Sequence, residues 1–326
     1  MTIAITGASG YIGSVLLPLL LSDGHNLRLL TRKTPPAIVP AGVTFVPGEL
    51  TNESSLQQLV AGANAVIHLA AVISIADQPD ETLFQVNTTG TRLLASAAAQ
   101  AGVRRFIHLS SVTAYNQAPY NEPLDEHRGP IQTQWYGYDY SKAVSQAIAL
   151  EYNSNDMAVI VLAPTAVIGP FDRQPSLLGK AVINFYNRKI PALFPGGVDF
   201  VDVRDVAAAI VSALTNGTPG EAYLLSGQWA SLHTLATTIG HLKGRPISLP
   251  VLPLWLVFCL LPFVRMIAAI TSGPPYYTRQ SVYNLIYSNK KIDHSKAEAA
   301  LQFRPRSFTT TLEDTIEWFK TTGVIR

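Results

Sequence analysis

The feature that most constrains this chain is its opening. An apolar run over 2–6 passes directly into Gly7-Ala8-Ser9-Gly10-Tyr11-Ile12-Gly13 and then into a helical stretch over 11–22. A strand-to-helix turn with glycines spaced GxxGxxG suits a dinucleotide. Gly7 permits the tight turn, Gly10 lets a pyrophosphate approach the backbone, and Gly13 lets helix and strand pack closely. The phosphates then lie at the helix N-terminus, beside Tyr11 and Ile12, where unpaired N–H groups and the helix dipole favour negative charge. No basic run precedes the apolar stretch, so it reads as a first strand and not as a signal peptide.

Further β-branched runs follow at 27–31, 43–46, 65–69, 105–109 and 158–162. Helical stretches such as 11–22 and 88–100, closed by Gly24 and Gly102, lie between them. Repeated βα units of this length predict an α/β fold, a Rossmann doubly wound parallel sheet with helices on both faces. Pro18 falls inside the first helix, where it removes a donor and is expected to bend it.

The end of the second strand selects the cofactor. An acid there would bind the adenosine ribose and repel a 2′-phosphate. The chain instead reads Thr31-Arg32-Lys33. Arg32 can hold a phosphate through a forked pair of hydrogen bonds and Lys33 adds a point charge, which favours NADP(H) over NAD(H).

Chemistry-bearing residues cluster in Trp135-Tyr136-Gly137-Tyr138-Asp139-Tyr140-Ser141-Lys142. Of the three tyrosines only Tyr138 lies four residues before Lys142, on one helix face, where an ammonium would stabilise the phenolate. Ser110 and Ser111 end the 105–109 strand, at the sheet edge where ligands of such folds gather, and a hydroxyl there can polarise the oxygen that Tyr138 protonates.

The remaining composition excludes several classes. Charged residues make up 14%, against a usual value of roughly 25%, and 48% are hydrophobic, so a sizeable core is expected and disorder is not. The net charge of +2 and the lack of any Lys/Arg run argue against a nucleic-acid partner. Cys259 stands alone, which fits a reducing, cytoplasmic setting, and the seven histidines show no close ligand spacing, so no metal is expected. The stretch 247–264 is uncharged but cut by Pro250, Pro253 and Pro262, leaving 254–261 unbroken. That is short of the roughly 20 residues of a membrane span. It is expected to pack on the core, with a substrate lid or membrane-surface contact as the other reading. Asp125-Glu126 reads as a turn and cap, and Arg204-Asp205 as a structural charge pair.

In order along nearly the whole chain stand TGASGYIG (6–13), GEL (48–50), HLAA (68–71), VNTTGT (86–91), LSS (109–111), YDYSK (138–142), APTAVIGP (163–170), FVDVRDVA (200–207), YLLSG (223–227) and FRPRSFTTTLEDTIEWF (303–319). This series resembles the extended short-chain dehydrogenase/reductase family, and within it the dihydroflavonol-4-reductase-like and 3β-hydroxysteroid-dehydrogenase-like branch. The resemblance implies an NADP-binding Rossmann domain over 1–165. It implies a smaller, mainly substrate-binding α/β domain over 166–326, with some segments returning to the Rossmann core. It gives Ser111, Tyr138 and Lys142 the catalytic roles, with Lys142 also on the nicotinamide ribose and Asn87 shaping the site. Leu69, Ala70 and Ala71 would line the cofactor, and Pro164 through Val167 would pass under the nicotinamide. Glu49, with Leu50 beside it, takes the place of an adenine-contacting Asp, and Gln146 replaces a frequent Glu.

Within such a family the reaction is narrowed by what is missing. Val112 and Thr113 follow Ser111 where sugar dehydratases carry an acidic pair, and Pro164-Thr165-Ala166 lacks the Asn of nucleotide-sugar epimerases. The expectation is hydride transfer between NADP(H) and a carbonyl or secondary alcohol of a small apolar substrate, by a monomer or homodimer. A sugar epimerase and a non-catalytic redox sensor are the alternatives.

Overall fold

The central strands form where the sequence is apolar on consecutive residues, because both faces of a helix-covered parallel sheet are buried. In the computed structural model, which describes residues 1–32, 38–74, 80–132, 137–270 and 278–326 and only the backbone of 263–270, ten strands occur. They are β1 (Thr2–Thr6), β2 (Asn26–Thr31), β3 (Val43–Pro47), β4 (Ala65–His68), β5 (Arg105–Leu109), β6 (Ala158–Pro164), β7 (Ala166–Ile168), β8 (Gly197–Asp202), β9 (Ala222–Leu225) and β10 (Gln228–Ser231). The helices are α1 (Tyr11–Ser22), α2 (Glu53–Val60), α3 (Glu81–Gln100), α4 (Gly137–Glu151), α5 (Leu177–Tyr186), α6 (Val203–Ser212), α7 (Leu232–Leu242), α8 (Leu254–Ile270), α9 (Arg279–Ile286), α10 (Ser295–Leu301) and α11 (Phe308–Thr321).

Seven strands make one parallel sheet in the order β3-β2-β1-β4-β5-β6-β9. The chain runs outward from β1 in one direction and resumes at β4 on the other side, so the crevice for a ligand lies at the carboxyl ends of β1 and β4. On one face α1 and α6 bury Leu16, Leu20, Val206 and Ile210 against Ile3 and Ile5; on the other, α2, α3 and α4 bury Leu56, Leu94 and Ala149 against Val66 and Phe106. Phe106 and Leu94 are fully buried, each contributing about 1.5–3 kcal/mol. A second sheet, β10-β8-β7, carries its own core with Phe185, Phe200, Ile239, Phe308 and Phe319. β9 and α6, both late in the chain, belong to the first sheet and its covering layer.

Several expectations are corrected. α3 begins at Glu81, not 88, because the Asp80 side chain caps it by accepting from Leu83 N, and Leu83, Asn87, Thr91, Leu94 and Ala98 follow at helical spacing on the buried side. Pro18 lies inside α1, as expected. α8 continues through Pro262 to Ile270 instead of stopping at 261. The carbonyl that loses its donor there belongs to Phe258, a residue on the exposed side of the helix. Among the described residues no helix is long and apolar enough to cross a membrane.

Arg204 and Asp205 do not pair with each other. The Arg204 guanidinium donates to Asp202 at 2.7 and 2.9 Å and to Asp314 at 2.6 Å, tying β8 to α11. Asp205 accepts from Arg306 N at 2.7 Å and from its guanidinium. Adjacent helical residues diverge by about 100°, so each finds a separate partner. Asp125 turns the loop by accepting from His127 N at 3.0 Å, whereas Glu126 accepts from Leu224 N at 2.7 Å and joins that loop to β9.

Candidate active site

The turn after β1 is built on backbone contact. Gly7 has φ +74°, and a Cβ there would stand 2.6 Å from Ala70 N; at Gly13 it would stand 2.3 Å from Ala8 O. Neither neighbour can yield, since both are backbone. Gly10 N donates to Gly7 O at 2.9 Å. Gly10 also caps α1 without any side-chain hydrogen bond, so the N–H groups at Tyr11, Ile12 and Gly13 meet no capping side chain of their own. This is a cradle that a diphosphate fits. The Tyr11 hydroxyl donates to Gly169 O at 2.6 Å, across the turn toward the end of β7.

The facing wall follows β4. Leu69 N donates to Thr6 O at 3.1 Å, and Leu69, Ala70 and Ala71 are half-buried. Asn87, on α3, holds this wall: its amide oxygen accepts from Val72 N at 2.8 Å, and its nitrogen donates to Val72 O at 3.0 Å and Ser141 Oγ at 2.9 Å. Its role here is to join wall to helix α4. Arg32 lies exposed just past β2 and Glu49 exposed just past β3, on the same carboxyl edge of the sheet. Leu50 is buried beneath Gly90 of α3. Lys33 and Tyr136 lie outside the described residues. Pro164 is buried and Val167 half-buried across the β6–β7 junction, where Thr165 Oγ1 donates to Asp199 Oδ1 at 2.7 Å.

Beyond β5 the two serines separate. Ser110 Oγ donates to Gln146 Oε1 at 2.6 Å, and Gln146 Nε2 donates to the Tyr115 hydroxyl at 3.0 Å. Gln146 thus engages Ser110, and Ser111 is the serine against Tyr138. Ser111 caps a short 3-10 turn by accepting from Thr113 N at 3.2 Å, with Thr113 Oγ1 2.9 Å from its own hydroxyl.

Tyr138 stands in the first turn of α4, half-buried. Burial and then the Asp139 charge push its ionisation well above the ordinary tyrosine range; the Ser111 hydroxyl pulls it back in part. Lys142 is buried, donates to Leu109 O at 2.6 Å, and is drawn down to about 7 by desolvation. Its ammonium is therefore directed at a carbonyl of β5, and the expected lowering of the Tyr138 pKa by Lys142 is not what this geometry produces. Tyr140 stacks on Phe84 with ring centroids 5.8 Å apart, away from the serines.

Asp139 is the residue that sequence reading passed over. It is 4% exposed and burial raises it to about 6, offset by hydrogen bonding with Thr113, Asn284 and Gln280. Asn284 Nδ2 reaches it from α9 at 3.5 Å. Thr113 thus lies between Ser111 and Asp139, and Asp139 joins the Ser111–Tyr138 pair to α9. No sequence signal marks a contact spanning 145 positions.

Under the sheet, His68 and His108 are both buried with ring centroids 5.3 Å apart. His68 bridges Thr6 and Thr91 at 2.7 and 2.9 Å and falls to about 3 through desolvation, so it is neutral and structural. His108 Nε2 lies 3.4 Å from Ser145 Oγ while its Nδ1 has no protein partner. Among the described residues no group of three His, Cys, Asp or Glu is arranged to hold a metal ion.

A glycine cradle at the β1–β4 switch point beside a Ser–Tyr pair and a buried lysine can hold a dinucleotide and move a proton next to it. Comparison with known proteins gives the relatives of the chain. Sterol demethylase protein B of Methylococcus capsulatus is 30% identical over 329 residues, covering 100% of both chains. A putative dihydroflavonol 4-reductase of Synechocystis is 28% identical over 329 residues, 99% of this chain and 95% of that one. The crystal structure of gox2253 superposes with a TM-score of 0.83 at 28% identity, covering 100% of this chain and 99% of that one. The family model described as NAD dependent epimerase/dehydratase family matches residues 3–226. The chain therefore belongs to the NAD dependent epimerase/dehydratase family, as an oxidoreductase of the extended short-chain dehydrogenase/reductase type.

Proposed function

We propose that the protein transfers hydride between NADP(H) and a carbonyl or secondary alcohol of a small, apolar substrate. The observation that carries this reading is the convergence of Ser111, Tyr138 and Lys142 at the carboxyl edge of β5, beside the Leu69–Ala71 wall. What the bound nicotinamide would supply is a hydride donor or acceptor. In reduction Tyr138 gives its hydroxyl proton to the substrate oxygen, and in oxidation it takes that proton back. Ser111 donates a hydrogen bond to the same oxygen, and Lys142 holds the nicotinamide ribose. Gly7, Gly10, Tyr11, Ile12 and Gly13 hold the diphosphate, while Arg32 and Lys33 select the 2′-phosphate. Glu49 and Leu50 border the adenine and Pro164 and Val167 the nicotinamide.

The uncharged stretch 247–264 supports an apolar substrate, since it offers no cation to pair with a nucleotide diphosphate. The names of the relatives, a sterol demethylase protein and a dihydroflavonol reductase, point the same way. The test is a panel of lipophilic ketones and alcohols followed by NADPH absorbance. The reading expects net oxidation or reduction of cofactor. Conversion of a nucleotide sugar with no net change in absorbance would establish the epimerase instead.

A further inference from the structure

Charge in this chain is segregated. Residues 173–198 and 222–292 hold ten of the 24 Lys and Arg residues and none of the 22 Asp and Glu residues, an asymmetry hidden in the net charge of +2. These segments build α5, α7, α8 and α9. Four of the cations gather where α5 and α7 end. Lys243 lies 4.0 Å from the Tyr186 ring centroid and donates to Tyr186 O at 2.6 Å. Arg188 donates to Pro246 O at 3.3 Å, and Arg188 and Arg245 both act on the Lys243 charge. Among the described residues no carboxylate pairs with Arg188, Lys189, Lys243 or Arg245.

The chain beyond this cluster leads to an apolar outer face. Leu193 N donates to Pro250 O and Leu252 N to Leu193 O, both at 2.8 Å, which lays the segment after α5 alongside the approach to α8. On α8, Val257 and Leu261, four apart, turn inward to the second core. Trp255 and Phe258, three apart, turn outward at 68% and 37% exposure, next to Cys259. Val251 and Leu260 are 53% and 40% exposed. A partly exposed apolar helix face, linked through the paired 193 and 250–252 segments to cations that no described carboxylate pairs with, is complementary to one class of partner.

We propose that α8, with the Arg188–Lys189–Lys243–Arg245 cluster, docks the protein on the surface of an anionic lipid bilayer. Among the described residues α8 is not long and apolar enough to cross a membrane. It suits the interface, where Trp and Phe enter the headgroup boundary and Lys and Arg face anionic lipid. A nucleic acid would match the cations but gain little from the aliphatic Val251 and Leu260. This inference is independent of the reaction proposed above.

The test is vesicle flotation of the full chain, with phosphatidylcholine alone and with about 30% phosphatidylglycerol added, at about 0.05 M and about 0.5 M salt. Binding to the anionic vesicles at low salt is expected, with much weaker binding at high salt or on phosphatidylcholine. Each removed cation should weaken partitioning about five-fold, the equivalent of about 1 kcal/mol, so Lys243→Glu/Arg245→Glu should lose more than about 25-fold. Trp255→Ser/Phe258→Ser, both exposed and so compatible with folding, should also lose at least ten-fold in affinity. A polarity-sensitive dye on Cys259 should shift to the blue on binding. Absence of binding to anionic vesicles would overturn the proposal. So would vesicle binding unaffected by the Trp255/Phe258 change, or single-stranded RNA bound as tightly as vesicles, which would mark a general polyanion site.

Discussion

Replacing Asp139 with Asn should stabilise the protein at alkaline pH and destabilise it slightly at acid pH. The carboxyl is 4% exposed, and burial raises it from 3.8 to about 6. Two units correspond to about 3 kcal/mol. The folded state binds the proton more tightly than the unfolded one, so between about pH 4 and 6 stability falls as pH rises, and the whole penalty is present above that window. Asn keeps the shape but gives up one acceptor to Thr113, Gln280 or Asn284, costing about 1 kcal/mol at every pH. The variant should therefore be about 1 kcal/mol less stable near pH 4 and about 2 kcal/mol more stable near pH 8. Urea unfolding of both proteins across this range measures the difference directly, and other buried carboxylates such as Asp199 cancel in it. The same change removes a negative charge beside Tyr138, so the alkaline limb of the turnover profile should move to lower pH. A stability difference that does not vary with pH would refute the reasoning, because it would mean Asp139 is not ionised at a cost in the folded protein.

Two further perturbations address the cofactor cradle. Arg32→Asp should reverse the order of NADPH and NADH affinity measured by fluorescence titration; NADH preferred by the unmodified protein would sink the assignment. Gly7→Ala must place a Cβ 2.6 Å from Ala70 N at φ +74°, which should cost about 2 kcal/mol or more in stability. It should also abolish the rise in melting temperature on adding NADPH, and a variant that keeps both would show that the turn is not the cradle.

Six of the seven strands of the first sheet were legible because they are apolar on consecutive residues and punctuated by Gly24 and Gly102, whereas β9, with four residues far along the chain, was not. The second sheet was not: β7 has three residues and β10 four, too short for a period-two pattern to register. The start of α3 was missed because Thr and Gly in VNTTGT weaken the local helical signal, while the cap that begins the helix is Asp80, well upstream. Prolines misled in α8, where Pro262 sits inside the helix and the residue four before it, Phe258, lies on the exposed side. Around the site, the Tyr138–Lys142 pair could be picked out from spacing and Ser111 only through the family resemblance, while the contacts of Gln146 and Asp139 with Ser110, Tyr115 and Asn284 are ones that no spacing encodes.

The most direct measurement of the central claim is the turnover of Tyr138→Phe, with cofactor binding measured on the same sample. The substitution removes one hydroxyl and leaves the ring, so NADPH affinity should persist while NADPH-linked turnover falls roughly 100-fold or more, the scale of losing a general acid. Tyr140→Phe, a residue stacked on Phe84, should leave turnover near that of the parent. Near-full turnover in Tyr138→Phe, or its loss in Tyr140→Phe alone, would contradict the account.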